Sequence, residues 1–148
     1  MNTQRPEYTH VREMMQGLVH RFGLLQKDGA QCCGVSVLQS HVLYELGRRP
    51  NLSLNDLGQV LSADTSTLSR QVHQLVEMRL ISRIPDPRDR RFVVLSLTPQ
   101  GEQQADMIAD TLEIYIEGLL RHVPPDKQAQ VLESLELLST AMSRSDSR

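Results

Sequence analysis

The sequence has no tryptophan, and its aromatic residues are two Phe and three Tyr among 148 residues. Any core is therefore aliphatic, drawn from Leu, Val, Ile and Met. The apolar share of 39% is lean for a globular chain, and small chains with lean cores commonly finish burying apolar surface by self-association. Two cysteines exclude a disulfide scaffold and fit a reducing, cytoplasmic compartment. No apolar run approaches the roughly 20 residues that span a bilayer. The polar start Met1-Asn2-Thr3-Gln4-Arg5-Pro6 leads into no secretory h-region, so no membrane partner is expected. The chain also lacks a glycine-rich phosphate loop, a Ser/His/Asp or Cys/His arrangement with supporting context, and paired carboxylates in an apolar setting. Those absences argue against an enzyme.

A net basic charge is missing too. Sixteen Lys/Arg face eighteen Asp/Glu, for a net charge of −2, which taken globally speaks against a nucleic-acid binder. The distribution speaks for one. Residues 48–91 carry eight basic side chains against five acidic, and residues 98–143 carry two against eight. A basic middle is thus followed by an acidic C-terminal part.

What is present is a succession of amphipathic segments. From Tyr8 to Gln26 the residues Val11, Met14, Met15, Leu18, Val19, Phe22 and Leu25 recur at helical spacing. Lys27 to Gly34 reads as a break. A second helix is predicted from about Ser36 to Arg48, with Val37, Leu38, Val42, Leu43 and Leu46 on its apolar side and Pro50 at its exit. Ser53 followed by Asp56 is a capping signal for a short helix carrying Leu57, Val60 and Leu61. A new helix starts at Asp64 and runs to about Arg79, with Leu68, Val72, Leu75 and Val76 inward. Two short helices a few residues apart suggest a helix-turn-helix. The period then changes. Ile81, Arg83 and Pro85 lead into the turn Asp86-Pro87-Arg88-Asp89-Arg90-Arg91, and residues 92–97 read as a second strand, giving a hairpin with an arginine-loaded tip. Thr98 and Pro99 open a long helix reaching about His122, Pro124-Pro125 ends it, and a last helix spans Asp126 to Met142 before a polar tail.

A helix-turn-helix followed by a basic hairpin describes a winged helix. The fold class expected is mainly α with a small β-hairpin wing. Its parts are an N-terminal dimerisation helix and loop (1–34), a winged helix-turn-helix DNA-binding lobe (35–99) and C-terminal dimerisation helices (100–148). The second helix of the pair would enter the major groove with Ser66, Thr67, Ser69, Arg70, His73 and Gln74 toward the duplex. Arginine suits guanine, glutamine adenine, and the hydroxyls bases or phosphates. The wing offers Arg88, Arg90 and Arg91 to phosphates or an adjacent minor groove.

These stretches resemble the MarR (multiple-antibiotic-resistance regulator) family. The matching residues are Leu57-Gly58-Gln59-Val60-Leu61, Ser66-Thr67-Leu68-Ser69-Arg70-Gln71-Val72, the wing run 86–91, and Leu97-Thr98-Pro99-Gln100-Gly101. The resemblance implies a dimer of winged-helix lobes joined by the first and last two helices. It also implies that Arg91 is the minor-groove arginine of the wing, oriented by Asp89. One departure is visible. Where the family often has Gly before the wing, this chain has Arg79, and a left-handed helix end there costs Arg ~1 kcal/mol relative to Gly.

The dimer is also expected from the apolar stripes, which one small lobe is too small to bury. Two recognition helices on one duplex face imply a palindromic operator with half-sites ~34–36 Å apart. The function read from the sequence is a sequence-specific, double-stranded DNA-binding transcriptional regulator. It would be a repressor released by a small molecule, a thiol-reactive agent or a soft metal or metalloid. The alternative is a winged-helix protein-interaction module without DNA binding. Cys32 and Cys33 are the candidate sensor, placed in a short polar loop, since thiolates attack electrophiles and bind soft ions. Packing as small apolar residues at a dimer seam is the competing role for the pair. His41 and Glu45, one helical turn apart, join Cys32 and Cys33 as weak metal-ligand candidates.

Overall fold

The computed structural model describes residues 6–146. In chain order it contains α1 (Pro6–Cys32), α2 (Val37–Arg48), α3 (Leu54–Leu61), α4 (Thr65–Glu77), β1 (Ile81–Pro85), β2 (Val93–Leu97) and α5 (Pro99–Leu120). A 3-10 turn (Pro125–Lys127) and α6 (Gln128–Ser145) follow. The expected helical chain with one antiparallel hairpin is what forms. No helix among the described residues is long and apolar enough to cross a membrane. The chain divides into two compact units, one up to Leu112 and one from Glu113 onward.

The first unit is organised around an aliphatic core. Leu43 and Leu46 of α2, Leu57 of α3, and Leu68, Val72 and Leu75 of α4 are essentially inaccessible to solvent, joined by Leu80, Ile81 and Leu95 of the wing. The helical spacing of these residues puts one face of each helix inward. Each helix start is fixed locally. The side chains of Ser36, Ser53 and Asp64 accept from the backbone N–H three residues on, at α2, α3 and α4 respectively, satisfying donors that a helix start leaves open. The hairpin pairs Ile81 with Leu97 and Pro85 with Val93. Leu52 adds a bridge to Leu95 that the sequence did not signal.

Three expectations need revision. Residues 27–32 are not a loop, because α1 continues to Cys32. Gly29 packs 3.6 Å from the Leu112 side chain if given a Cβ, and Ala30 is fully buried, so tertiary contact overrides the weak helix propensity of glycine. The stop lies at Gly34, whose φ of 73° closes a Schellman end: Val35 N–H donates to the Ala30 carbonyl and Gly34 N–H to that of Gln31, each at 3.1 Å. The second strand starts at Val93 rather than Phe92, because Phe92 closes the wing turn by donating to the Asp89 carbonyl and accepting from Asp86 N–H. At the chain end α6 reaches Ser145, past the predicted stop at Met142, and residues 147–148 of the predicted tail lie outside the described residues.

Arg79 does take the left-handed conformation, with φ of 62°. Its N–H donates to Val76 and that of Leu80 to Leu75, both at 3.0 Å, which is a second Schellman end. The Thr-x-x-Gly signature that follows has a packing reason. Thr98 Oγ1 donates to the Arg79 carbonyl (2.7 Å) and accepts from Gly101 N–H (3.0 Å), while Thr98 N–H donates to the Leu80 carbonyl at 3.0 Å. A Cβ on Gly101 would run into that same Leu80 carbonyl. The motif therefore welds the exit of α4 to the entry of α5 across the hairpin.

Candidate nucleic-acid interface

Helix α4 begins at Asp64, whose carboxylate accepts from Thr67 N–H (3.1 Å), Thr67 Oγ1 (2.7 Å) and Ser66 Oγ (2.9 Å). The Thr67 side-chain bond, then that of Ser66, holds the Asp64 carboxyl down at about 2. The carboxylate is therefore ionised, and both hydroxyls must be donors to it. Ser66 is exposed and Thr67 half-buried. Arg70, His73 and Gln74 are exposed along the same helix, and His73 Nε2 lies 3.1 Å from Glu77 Oε1. Ser69 differs. It is half-buried and lines a hollow of about 110 Å³ with Arg83, Val93 and Leu95 between the helix and the wing.

The wing tip is ordered by its aspartates. Asp86 is 8% exposed and accepts from Arg88 N–H at 2.9 Å and more weakly from its guanidinium at 3.4 Å. The Arg88 N–H bond is the main reason its carboxyl is lowered. Asp89 accepts from Arg91 Nη2 at 2.7 Å and from Nε at 3.0 Å. That pair lowers Asp89 and raises Arg91, each through the side-chain hydrogen bond. Arg91 is thereby held in a fixed fork at the surface. Arg90 is exposed and makes no hydrogen bond or ion pair among the described residues. The structural role of Asp86 was missed in the sequence, although the Asp-Pro start of a turn is a signal for side-chain capping.

Behind α4, the start of α2 contributes a capping box, which the Ser36-x-x-Gln39 spacing could have signalled, and two long-range contacts that no local pattern signals. Gln39 is 5% exposed. Its Oε1 accepts from Ser36 N–H at 2.9 Å and its Nε2 donates to Gln74 Oε1 at 2.9 Å. Ser36 Oγ accepts from Gln39 N–H and donates to Gln71 Oε1 at 3.3 Å.

The sensor candidates divide. Cys32 is exposed at the last turn of α1, Cys33 is half-buried, and both are free thiols. Burial, then the neighbouring Cys32, pushes the Cys33 thiol up, which disfavours its thiolate. The Cys33 carbonyl accepts from Gln104 Nε2. No three His, Cys, Asp or Glu side chains come together as a metal-holding group among the described residues. Glu45 has one carboxylate oxygen buried without a partner, and its other lies 3.9 Å from Arg48.

Residues 34–91, which hold α2 to α4 and most of the wing, match the model of the MarR family. The chain is 24% identical over 104 residues to the HTH-type transcriptional regulator YdgJ of Bacillus subtilis, covering 70% of this chain and 63% of YdgJ. It therefore spans a little under two thirds of that relative's length. It is 41% identical over 46 residues to the multiple antibiotic resistance protein MarR of Salmonella typhimurium, covering 31% of this chain and 32% of that protein. Among solved structures, the MarR family transcription regulator SP03579 superposes with a TM-score of 0.79 at 19% identity, over 99% of both chains, which is agreement in fold. Through residues 34–91 of its winged helix, this chain resembles the MarR family.

Proposed function

We propose that this chain is a sequence-specific, double-stranded DNA-binding transcriptional regulator that acts as a homodimer on a palindromic operator. The observation that carries the reading is the pairing, within one lobe, of a capped helix with an exposed polar face and a wing tip whose arginines are pre-set by Asp86 and Asp89. The family match and the relatives named as transcriptional regulators support it. Arg70, His73 and Gln74 are the base-facing candidates, with Ser66 and Thr67 at the helix start. Arg90 is the free phosphate-seeking cation and Arg91 the oriented one, suited to a narrow minor groove. Ser69, Arg88 and Asp89 act as supports for those groups.

Release of DNA would be geometric, through an agent that favours a different spacing of the two recognition helices. Of the two thiols, Cys32 is the accessible one, and a thiol-reactive compound or a metalloid bridging the pair would act at the α1–α2 junction. A Cys32→Ser/Cys33→Ser double variant is then expected to keep DNA binding and lose the response to arsenite or oxidant. An unchanged response in that variant removes the thiols from the switch.

Binding of a random-sequence duplex pool, followed by gel shift over a salt series, tests the main reading. Affinity is expected to fall steeply with salt as phosphates shed counterions. Arg91→Ala is expected to lower affinity about tenfold, equivalent to ~1.4 kcal/mol, with oligomeric state unchanged. Salt-insensitive binding, or no binding to any duplex, overturns the assignment.

A further inference from the structure

We infer that buried Gln39 of α2 is a positioning residue that fixes the hydrogen-bonding polarity of Gln74 on the recognition helix, so that Gln74 presents its Nε2 donor to DNA. The inference rests on the DNA-binding reading above and specifies what one of its side chains can recognise.

The polarity follows without freedom to flip either amide. Ser36 N–H is a backbone donor and nothing else, so the Gln39 atom at 2.9 Å from it must be the carbonyl oxygen. The other terminal atom of Gln39 is then its NH2, which sits 2.9 Å from Gln74. The Gln74 atom it meets must accept, so it is Oε1. What Gln74 has left is Nε2, which has no partner among the described residues. The arrangement is rigid at its base, since Gln39 is 5% exposed and also completes the capping box of α2. The bidentate contact of glutamine with adenine needs Oε1 and Nε2 together. With Oε1 already carrying the Gln39 bond, the free Nε2 matches acceptors: N7 of either purine, O6 of guanine or O4 of thymine. Gln71 lies outside the argument, because its partner is the Ser36 hydroxyl, which can both donate and accept.

Two measurements test this, one without DNA. In 15N-labelled free protein, the Gln39 side-chain amide protons are expected to exchange at least about tenfold more slowly than those of Gln74. In Gln39→Glu, which keeps the capping box but has no NH2 to give, Gln74 is expected to turn its own NH2 inward, and its protons become the protected ones. Equal exchange at the two glutamines in the wild type overturns the polarity assignment whatever happens with DNA.

The second measurement is selection from a random duplex pool by wild type, Gln74→Ala and Gln39→Glu. Gln74→Ala identifies the base position that Gln74 reads, by loss of preference there. At that position the wild type is expected to disfavour C by about tenfold, and Gln39→Glu to disfavour G and T. If the Gln39→Glu variant does not fold, Gln39→Met serves instead, and preference at that position is expected to collapse toward indifference. An unchanged base preference at that position in the Gln39 variants, or no position that responds to Gln74→Ala, overturns the inference. If no duplex is retained by the wild type while the exchange pattern holds, the DNA-binding reading fails and the glutamine geometry stands.

Discussion

The winged-helix lobe and the unit that follows it use the same aliphatic residues to different ends. In the lobe Leu43, Leu57, Leu68 and Leu75 are fully buried. Between residues 113 and 146 no described residue is buried, and Ile114, Leu119 and Leu137 stand 68%, 59% and 66% exposed. On α1, Leu18 and Val19 are similarly bare at 60% and 73%. The lobe satisfies its apolar stripes within one chain. The long helices do not, and apolar residues left exposed along each of them are suited to an interface. Under the proposed function the comparison separates two tasks, with duplex contact in the self-sufficient lobe and assembly in the helices that are incomplete alone.

The largest expected effect comes from attacking the exposed stripes. Leu119→Asp with Leu135→Asp removes two leucines from the proposed seam in each copy, each worth about 1.5–3 kcal/mol of burial. Sedimentation is expected to shift from dimer to monomer, while the lobe keeps its helical signal. A wild type that sediments as a monomer would erase the distinction between the two regions. Next in size is Leu68→Ala in the lobe. It is fully buried, so a loss of about 2–5 kcal/mol is expected by chemical denaturation, independent of protein concentration in a way the stripe variant is not.

A smaller effect sharpens the picture of the lobe alone. Arg79→Gly relieves a left-handed residue at the end of α4 and is expected to stabilise by roughly 0.5–1 kcal/mol, read as a rise in melting temperature. No gain would mean that the Arg79 side chain contributes as much as its backbone costs. The smallest effect is one of pH. The folded-state carboxyl of Asp64 sits at about 2, below its ordinary value of 3.8. Its capping contribution is therefore present above pH ~4 and lost as pH falls toward 2. Titration of the Thr67 amide resonance is expected to report a midpoint near that lower value, and a midpoint near 4 would show that the cap is not formed.

Much of the lobe could be seen in local signals. Ser53, Asp64 and Thr98 announce helix starts because a cap acts over three residues, and the wing announces itself by a change from helical period to strand and turn chemistry. Arg88 to Arg91 were legible as a charged tip for the same reason. The end of α1 was misread because Gly29 looks like a breaker in a polar run, and only the core that it and Ala30 pack against keeps the segment helical. Ser36-x-x-Gln39 is a local capping-box signal, whereas the contact of Gln39 with Gln74, 35 residues away, left no trace. Ser69 reads as an open groove contact until the wing is seen folded against it.

The order of elements, the capped recognition helix and the arginine tip were all written in the chain, since each rests on interactions between near neighbours. Which hydroxyls and amides on that helix remain free, how far α1 extends and which apolar faces stay uncovered emerged only on folding. Those outcomes depend on groups distant in sequence meeting at hydrogen-bond or van der Waals range, and no local pattern encodes such a meeting.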